Sequence, residues 1–228
     1  MEYTDPGYVL FKRVYDALMN FRNEKNREPS IIFLENHGVF VSADSAANIM
    51  QLYDKIEKTL TPEVEKTPDT KSKRAPEELL KNAEKLKEQS GEDLSSVIAD
   101  ASPLAQYFVQ SPEHFTLVSK PFTPDNIVYC KSNYLFVGES DDLLQSVEKF
   151  KVSLGYWPKV IGIEHTGLLV LEQDSKSARI VLDVFKDMMK VAWYAAHFGG
   201  PRHLTAKQIE FIDNWEVENY RRQMSKKK

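Results

Sequence analysis

At 228 residues, with 42% hydrophobic and 28% charged residues, the chain can bury a sizeable core as one large or two small domains, and its composition excludes a disordered protein. A net charge of −4 argues against a polyanion binder, so the compact Lys226-Lys227-Lys228 run reads as a solvated tail. Cys130 is the only cysteine, which excludes an intrachain disulfide and a cysteine-based zinc site.

Taken in chain order, Phe11, Val14, Tyr15, Leu18 and Phe21 fall on one stripe of a helix over residues 8–21, expected to pack on a core, with Asp5 as its cap or turn residue. Two apolar runs, Ile31–Leu34 and Val39–Val41, follow, joined by the polar corner Glu35-Asn36-His37-Gly38, and read as buried strands meeting at a tight turn. Gly38 lets the backbone bend there, or be approached closely, without a Cβ clash. His37 sits at that corner with its imidazole free to aim into a cleft. Spacing alone favours a turn histidine that bonds a nearby carbonyl over a metal ligand. Asp44 or Ser45 then caps a helix bearing Ile49, Met50, Tyr53, Ile56 and Leu60, stopped by Pro62.

From Thr61 to about Arg74 the composition shifts to Lys, Glu, Thr, Pro and Ser, the mark of a linker or long surface loop. Pro76 opens a helix with a narrow stripe of Leu79, Leu80, Ala83 and Leu86, ending near Ser90-Gly91. Leu94 to Val109 reads as a short helical region broken at Pro103. The second half opens on Phe115–Val118 and continues with strands at Ile127–Cys130 and Tyr134–Gly138. Asp141 starts a helix closed by Gly155. Two strands within Lys159–Leu171 lead to a long helix from Ser175 to Phe198, stopped by Gly199-Gly200-Pro201. Thr205-Ala206-Lys207-Gln208 is a capping-box pattern for a last helix bearing Ile209, Ile212 and Trp215. Alternation of strands and helices makes the class α/β.

The chain also echoes itself. Val160–Val170 lines up with Ile31–Val41 at a constant offset of 129: Gly167 falls on Gly38, Glu164 on Glu35, and Thr166 replaces His37. Asp174-Ser175 then matches Asp44-Ser45 with a one-residue slip. A duplicated lobe is the favoured reading, with the second copy structural and its His165 turned to the opposite face as a structural histidine.

Asn36-His37-Gly38-Val39 between two strands, followed by a helix start at Asp44-Ser45, resembles the class II aldolase/adducin family. Pro121-Phe122-Thr123-Pro124-Asp125-Asn126-Ile127-Val128-Tyr129 and Gln208–Arg221, with Trp215-Glu216-Val217-Glu218-Asn219-Tyr220-Arg221, are similar to one branch of it. That branch is the aldolase domain of bifunctional rhamnulose-1-phosphate aldolase/short-chain dehydrogenase proteins. The resemblance implies a class II aldolase/adducin-like layered sheet with flanking helices, in two similar lobes of which the first is incomplete. It divides the chain into residues 1–60 (the end of an aldolase-like lobe with the Asn-His-Gly turn), 61–110 (linker and helical insert) and 111–228 (second lobe and last helix).

By the same resemblance, His37 is one of three zinc ligands. Asn36 and Gly38 are candidate substrate-binding residues beside it; Asn36 could instead orient His37, and a turn residue satisfying its own backbone is the favoured reading of it. The reaction implied is lyase cleavage of a deoxyketose 1-phosphate, such as rhamnulose 1-phosphate, to dihydroxyacetone phosphate and lactaldehyde. The family's upstream His-x-His pair and acid/base Glu have no counterpart before His37. Zinc therefore requires a complementary lobe, a missing N-terminal aldolase lobe or a homo-oligomer neighbour, and the chain alone is expected to be inactive. A short-chain dehydrogenase is a further implied partner. The alternative is a non-catalytic interaction module or partner subunit on the same fold.

Arg202, Arg221 and Arg222 are candidate phosphate contacts, with solvated or ion-paired arginines the favoured reading, and Trp215 and Tyr220 are candidates to pack against a neighbouring domain or subunit or equally within this chain. Neither nucleic acid nor membrane is expected as a partner: no apolar run spans a bilayer and the first residues lack a signal pattern, so a cytoplasmic location is expected.

Overall fold

The computed structural model describes residues 1–64, 66–91 and 94–214. Trp215, Tyr220, Arg221, Arg222, the Lys226–Lys228 run and most of the Gln208–Arg221 motif lie outside the described residues. The chain forms two compact units, Met1–Glu65 and Lys66–Lys228.

The first unit contains helix α1 (Tyr8–Lys25), an antiparallel hairpin of β1 (Ile31–Leu34) and β2 (Gly38–Val41), helix α2 (Ala46–Leu60) and a 3-10 turn at Thr61–Glu63. Pro62 falls in that turn, as its missing N–H requires. Two expectations are corrected. Gly7, not Asp5, occupies the cap position of α1. The α1 stripe is not sealed into a core: Phe11 is 61% exposed, and on the hairpin Phe33 is 56% and Phe40 52% exposed. Two strands offer too little surface to cover two amphipathic helices, and among the described residues β1 and β2 pair only with each other.

The second unit is a mixed α/β layered structure. It runs α3 (Glu77–Ser90), β3 (Ser96–Asp100), α4 (Pro103–Phe108), α5 (Pro112–Thr116), α6 (Pro124–Cys130), β4 (Leu135–Val137) and α7 (Leu143–Leu154). Then come β5 (Val160–Ile163), β6 (Gly167–Glu172), α8 (Ser175–Ala195) and α9 (Ala206–Asn214). The sheet order is β3-β6-β5-β4, antiparallel except for the parallel β4–β5 pair. Every residue of β5 and β6 is buried. Alternation sends Val160, Leu168 and Val170 into a core with α4, α5, α6 and α8, and Ile161, Ile163, Leu169 and Leu171 into a second core with α3 and α7. A strand pair covered on both faces must be apolar throughout, which is why Val160–Leu171 reads as a near-continuous hydrophobic run.

Two elements differ from expectation. Ile127–Cys130 is helical, within α6. The Thr123 side chain accepts from the Asn126 amide, the Asn126 side chain accepts from the Thr123 amide, and Pro124 fits the first turn. That reciprocal cap outweighs the strand preference of Ile-Val-Tyr. Within Leu94–Val109, residues 96–100 form β3, because pairing with β6 satisfies a backbone that would otherwise be an open edge beside buried Leu169 and Leu171. Pro103 begins α4 rather than breaking a helix, with the Ser102 side chain accepting from the Ala105 amide. Buried Asp100, at the end of β3, is held by Lys186 Nζ of α8 at 2.9 Å and the Ser102 hydroxyl at 2.9 Å.

The 129-residue echo holds at the level of backbone geometry. Both hairpins have a three-residue loop, closed by His37 N–H to Leu34 O (3.2 Å) in one and Thr166 N–H to Ile163 O (3.0 Å) in the other. The middle residue is left-handed in each, Asn36 and His165 both at φ 58°. Ser42 N–H to Ser30 O is matched by Leu171 N–H to Lys159 O. The helix caps are Ser45 and Asp174, which bond the amides of Asn48 and Ser177. The offset is therefore constant through the cap, and the one-residue slip is corrected.

Gly38 and Gly167 occupy equivalent corners at positive φ, but their surroundings differ. A Cβ on Gly38 would meet nothing within 4 Å, whereas one on Gly167 would lie 2.6 Å from the Asp100 carbonyl oxygen and 2.9 Å from Leu79. Gly167→Ala should therefore destabilise the second unit by roughly 2–4 kcal/mol, from strain plus overpacking. Gly38→Ala carries the strain alone, about 1–3 kcal/mol. Thermal unfolding of each variant checks the order. Cys130 is fully enclosed, its thiol pushed up to about 12 by burial. The native thiol should resist alkylation at pH 8 and react once the chain is unfolded in urea. Because the unfolded thiol ionises near 9 and the buried one near 12, its contribution to stability is complete below pH 9 and is lost as pH rises towards 12. A pH series of urea midpoints measures that loss.

Candidate functional site

The Asn36-His37-Gly38 corner is built on local backbone chemistry. Asn tolerates the left-handed conformation of the middle loop residue, and Gly38 supplies φ 128° where β2 begins. The glycine serves the bend, since the space around it is open.

The N-terminal segment lies along this corner. Glu35 N–H donates to Met1 O at 3.0 Å, and Tyr3 N–H donates to the Glu35 carboxylate at 3.1 Å. Thr4 is buried, and its hydroxyl accepts from Arg13 at 2.8 Å. His37 Nε2 lies 2.8 Å from the Thr4 carbonyl oxygen, and the His37 and Tyr3 rings stack at 5.3 Å with an interplanar angle of 9°. A carbonyl only accepts, so this bond places the proton on Nε2 and occupies the ring edge that could otherwise face a cleft. Burial, aided by the negative charge of Asp5, pushes the Tyr3 phenol up to about 12, so the stacked partner stays neutral.

A catalytic zinc centre needs three protein ligands around an open position. Among the described residues no three His, Cys, Asp or Glu side chains are gathered closely enough to hold a metal ion. The residues present at the corner do not fit such a centre.

The equivalent corner of the second unit opens on a cavity of about 370 Å³ rich in carboxylates, including Glu139, Asp141, Asp142 and Glu164. Three of these are committed to backbone amides: Glu164 accepts from Glu139, Asp141 from Gly138, and Asp142 from Gln145. They cap turns. Thr166, in the position of His37, is buried and donates to the Glu164 carbonyl at 2.9 Å. His165 is exposed in its left-handed position at the loop centre, rather than turned to a strand face.

The remaining histidines also have local partners. His114 Nδ1 is 3.1 Å from the Ser111 hydroxyl, and His197 Nδ1 is 3.3 Å from the Trp193 carbonyl. His203 Nε2 is 3.1 Å from the Leu117 carbonyl, and burial lowers its pKa. Arg202 lies on the connection before α9, in the second unit.

Sequence reasoning missed a second group of residues in the second unit. Lys159 and Glu172 flank the β5–β6 hairpin and form an ion pair, with Glu172 only 7% and Lys159 22% exposed. Lys159 Nζ also donates to the Tyr129 carbonyl at 2.9 Å. The legible signal was a lysine and a glutamate bounding one apolar run, which brings them together once the run folds back on itself.

No family model matches the chain, and no curated protein matches it. Among solved structures, YgbL from Escherichia coli, an aldolase/epimerase/decarboxylase candidate, is similar at 15% identity and TM-score 0.44, over 59% of this chain and 64% of that one. An aldolase II superfamily protein from Pseudomonas syringae is similar at 13% identity and TM-score 0.44, over 67% of this chain and 62% of that one. An L-fuculose 1-phosphate aldolase is similar at 15% identity and TM-score 0.42, over 79% of this chain and 98% of that one. The chain thus spans less than two thirds of the first two. With TM-scores under 0.5, these likenesses assign no activity to it. No helix among the described residues is long and apolar enough to cross a membrane.

If the imidazole is a tether for the N-terminal segment, His37→Ala should cost about 1 kcal/mol locally. Amide exchange at Tyr3 and Glu35 should then quicken roughly fivefold while β5 and β6 keep their protection. Unchanged exchange at both amides would refute the tether.

Proposed function

We propose that this chain is a class II aldolase/adducin-type module in which the Asn-His-Gly corner is structural, and that it has no metal-dependent lyase activity on its own. The observation that carries this reading is the 2.8 Å bond from His37 Nε2 to the Thr4 carbonyl, which spends the nitrogen on the protein itself. The resemblance of Asn36-His37-Gly38-Val39 and of Pro121–Tyr129 to the rhamnulose-1-phosphate aldolase branch supports the choice of module.

Cleavage of a deoxyketose 1-phosphate to dihydroxyacetone phosphate and lactaldehyde then belongs to an assembly rather than to this polypeptide. A complementary lobe or a neighbouring copy supplies further zinc ligands in that assembly. His37 contributes only after release from Thr4, and Asn36 and Gly38 form the substrate side of the same corner. The short-chain dehydrogenase implied by the Trp215–Arg221 resemblance is a further partner of this reading.

The test is zinc content and aldol cleavage of the purified full chain beside His37→Ala. Both proteins should hold well under one zinc per chain and release no dihydroxyacetone phosphate from rhamnulose 1-phosphate. One tightly held zinc per chain that disappears in His37→Ala would overturn the proposal.

A further inference from the structure

The repeat gives a rule for what each hairpin needs around it. In the second unit β3 pairs antiparallel along the outer edge of β6, and β4 runs parallel beside β5. In the first unit the N-terminal residues take the place of the end of β4. Glu35 N–H donates to Met1 O as Glu164 N–H donates to Val137 O. The Tyr3 amide likewise reaches the Glu35 carboxylate as the Glu139 amide reaches that of Glu164. The edge of β1 is thus partly occupied. The outer edge of β2, equivalent to the one β3 covers, carries no strand among the described residues.

That edge is ready to pair. Ser42 N–H bonds Ser30 O, so alternation turns the backbone groups of Phe40 inward to β1 and those of Val39 and Val41 outward. Residues 38–43 contain no charge and no proline, the usual guards of a free edge. Side chains that the second unit buries around its equivalent edge are exposed here. Phe40 is 52% exposed where Leu169 is sealed, Tyr53 is 44% exposed where Leu182 is 2%, and Leu60 is 44% exposed where Met189 is 0%. α8 buries its stripe by packing on β3 as well as on β6. α2 presents the matching stripe, and among the described residues no strand lies beyond β2 to receive it.

Direction and symmetry set the occupant. A strand on this edge runs antiparallel to β2, as β3 does to β6. Two copies of one strand, side by side about a twofold axis, are antiparallel by necessity. With Val39 opposite Val41 of the second copy, and Val41 opposite its Val39, the outward groups of each strand meet their complements. Phe40 then faces its own counterpart across the axis, in the kind of pair whose side chains approach most closely. The α2 stripe of each copy lies over β2 of the other. The sheet becomes β1-β2-β2-β1, with four strands as in the second unit, which passes the size at which a hairpin is stable only marginally.

We propose that this chain forms a twofold dimer through the outer edge of β2, the occupant of that edge being a second copy of the first unit. No zinc ligand enters this interface, so it does not rest on the aldolase-type reading, and its test reads mass and cross-linking rather than metal or cleavage.

The experiment is sedimentation equilibrium of the full chain across the micromolar range, where the native chain should form a dimer that dissociates on dilution. Phe40→Glu and Phe40→Lys each place like charges across the axis and should each weaken self-association roughly a hundredfold. Mixing the two variants should recover a dimer carrying one of each, which a folding defect cannot mimic. Val41→Pro removes an outward N–H and keeps the inward bonds of Phe40 and Ser42, and should weaken association about tenfold with the far-ultraviolet circular dichroism retained. In Phe40→Cys the facing thiols fall within disulfide range, so mild oxidation should give a covalent dimer, to which the buried Cys130 does not contribute. A native chain that stays monomeric at high micromolar concentration would overturn the proposal and leave the edge to a strand of a different polypeptide. A dimer that Phe40→Glu and Val41→Pro leave intact, or a Glu/Lys mixture that stays monomeric, would overturn it as well.

Discussion

The second unit depends on one constraint: β5 and β6 are buried on both faces and must therefore be paired along both edges. Buried backbone groups without partners are too costly to keep. β3 closes the outer edge of β6 and β4 that of β5, giving the order β3-β6-β5-β4. The helices follow from the same demand, with α3 and α7 sealing one face and α4, α5, α6 and α8 the other. Gly162 and Gly167 mark where this packing is tightest: a Cβ on the first would lie 2.7 Å from the Phe115 ring, and one on the second 2.6 Å from a backbone oxygen.

The first unit repeats the hairpin and lacks the enclosure. Its loop, left-handed residue, glycine and helix cap all recur 129 residues later, yet β1 and β2 have no strand neighbours but each other among the described residues. Here the corner is tied down by the N-terminal segment, through Glu35, Tyr3, Thr4 and the His37 imidazole. In the enclosed copy the same position is a buried threonine bonded within its own loop. A histidine reaches a carbonyl in a neighbouring segment; a threonine satisfies itself. The difference between the copies is thus first a difference in what each corner must hold, and chemistry at His37 would compete with that task.

Two ion pairs of low exposure lie in the second unit among the described residues. Asp100, with Lys186 and Ser102, joins β3 to α8 and sits within the packed structure. Lys159 and Glu172 border open volume. Their surroundings rather than their chemistry distinguish the two.

What the sequence determined by itself was local and periodic. The strand runs at Ile31–Leu34 and Val160–Leu171, the long helix from Ser175, the stop at Gly199-Gly200 and the Thr205–Gln208 capping box each depend on neighbours a few residues apart, so pattern suffices to find them. The histidine corner belongs with these, including the preference for a bond to a nearby carbonyl. Tertiary structure decided whatever needed a distant partner. Ser96–Asp100 became a strand because β6 lay ready to pair with it, and Ile127–Cys130 a helix because its reciprocal cap prevailed over strand preference. The identity of the carbonyl that takes His37, 33 residues away, and the meeting of Lys159 with Glu172 across a hairpin were settled only when the chain closed, because spacing along a sequence carries no direction in space.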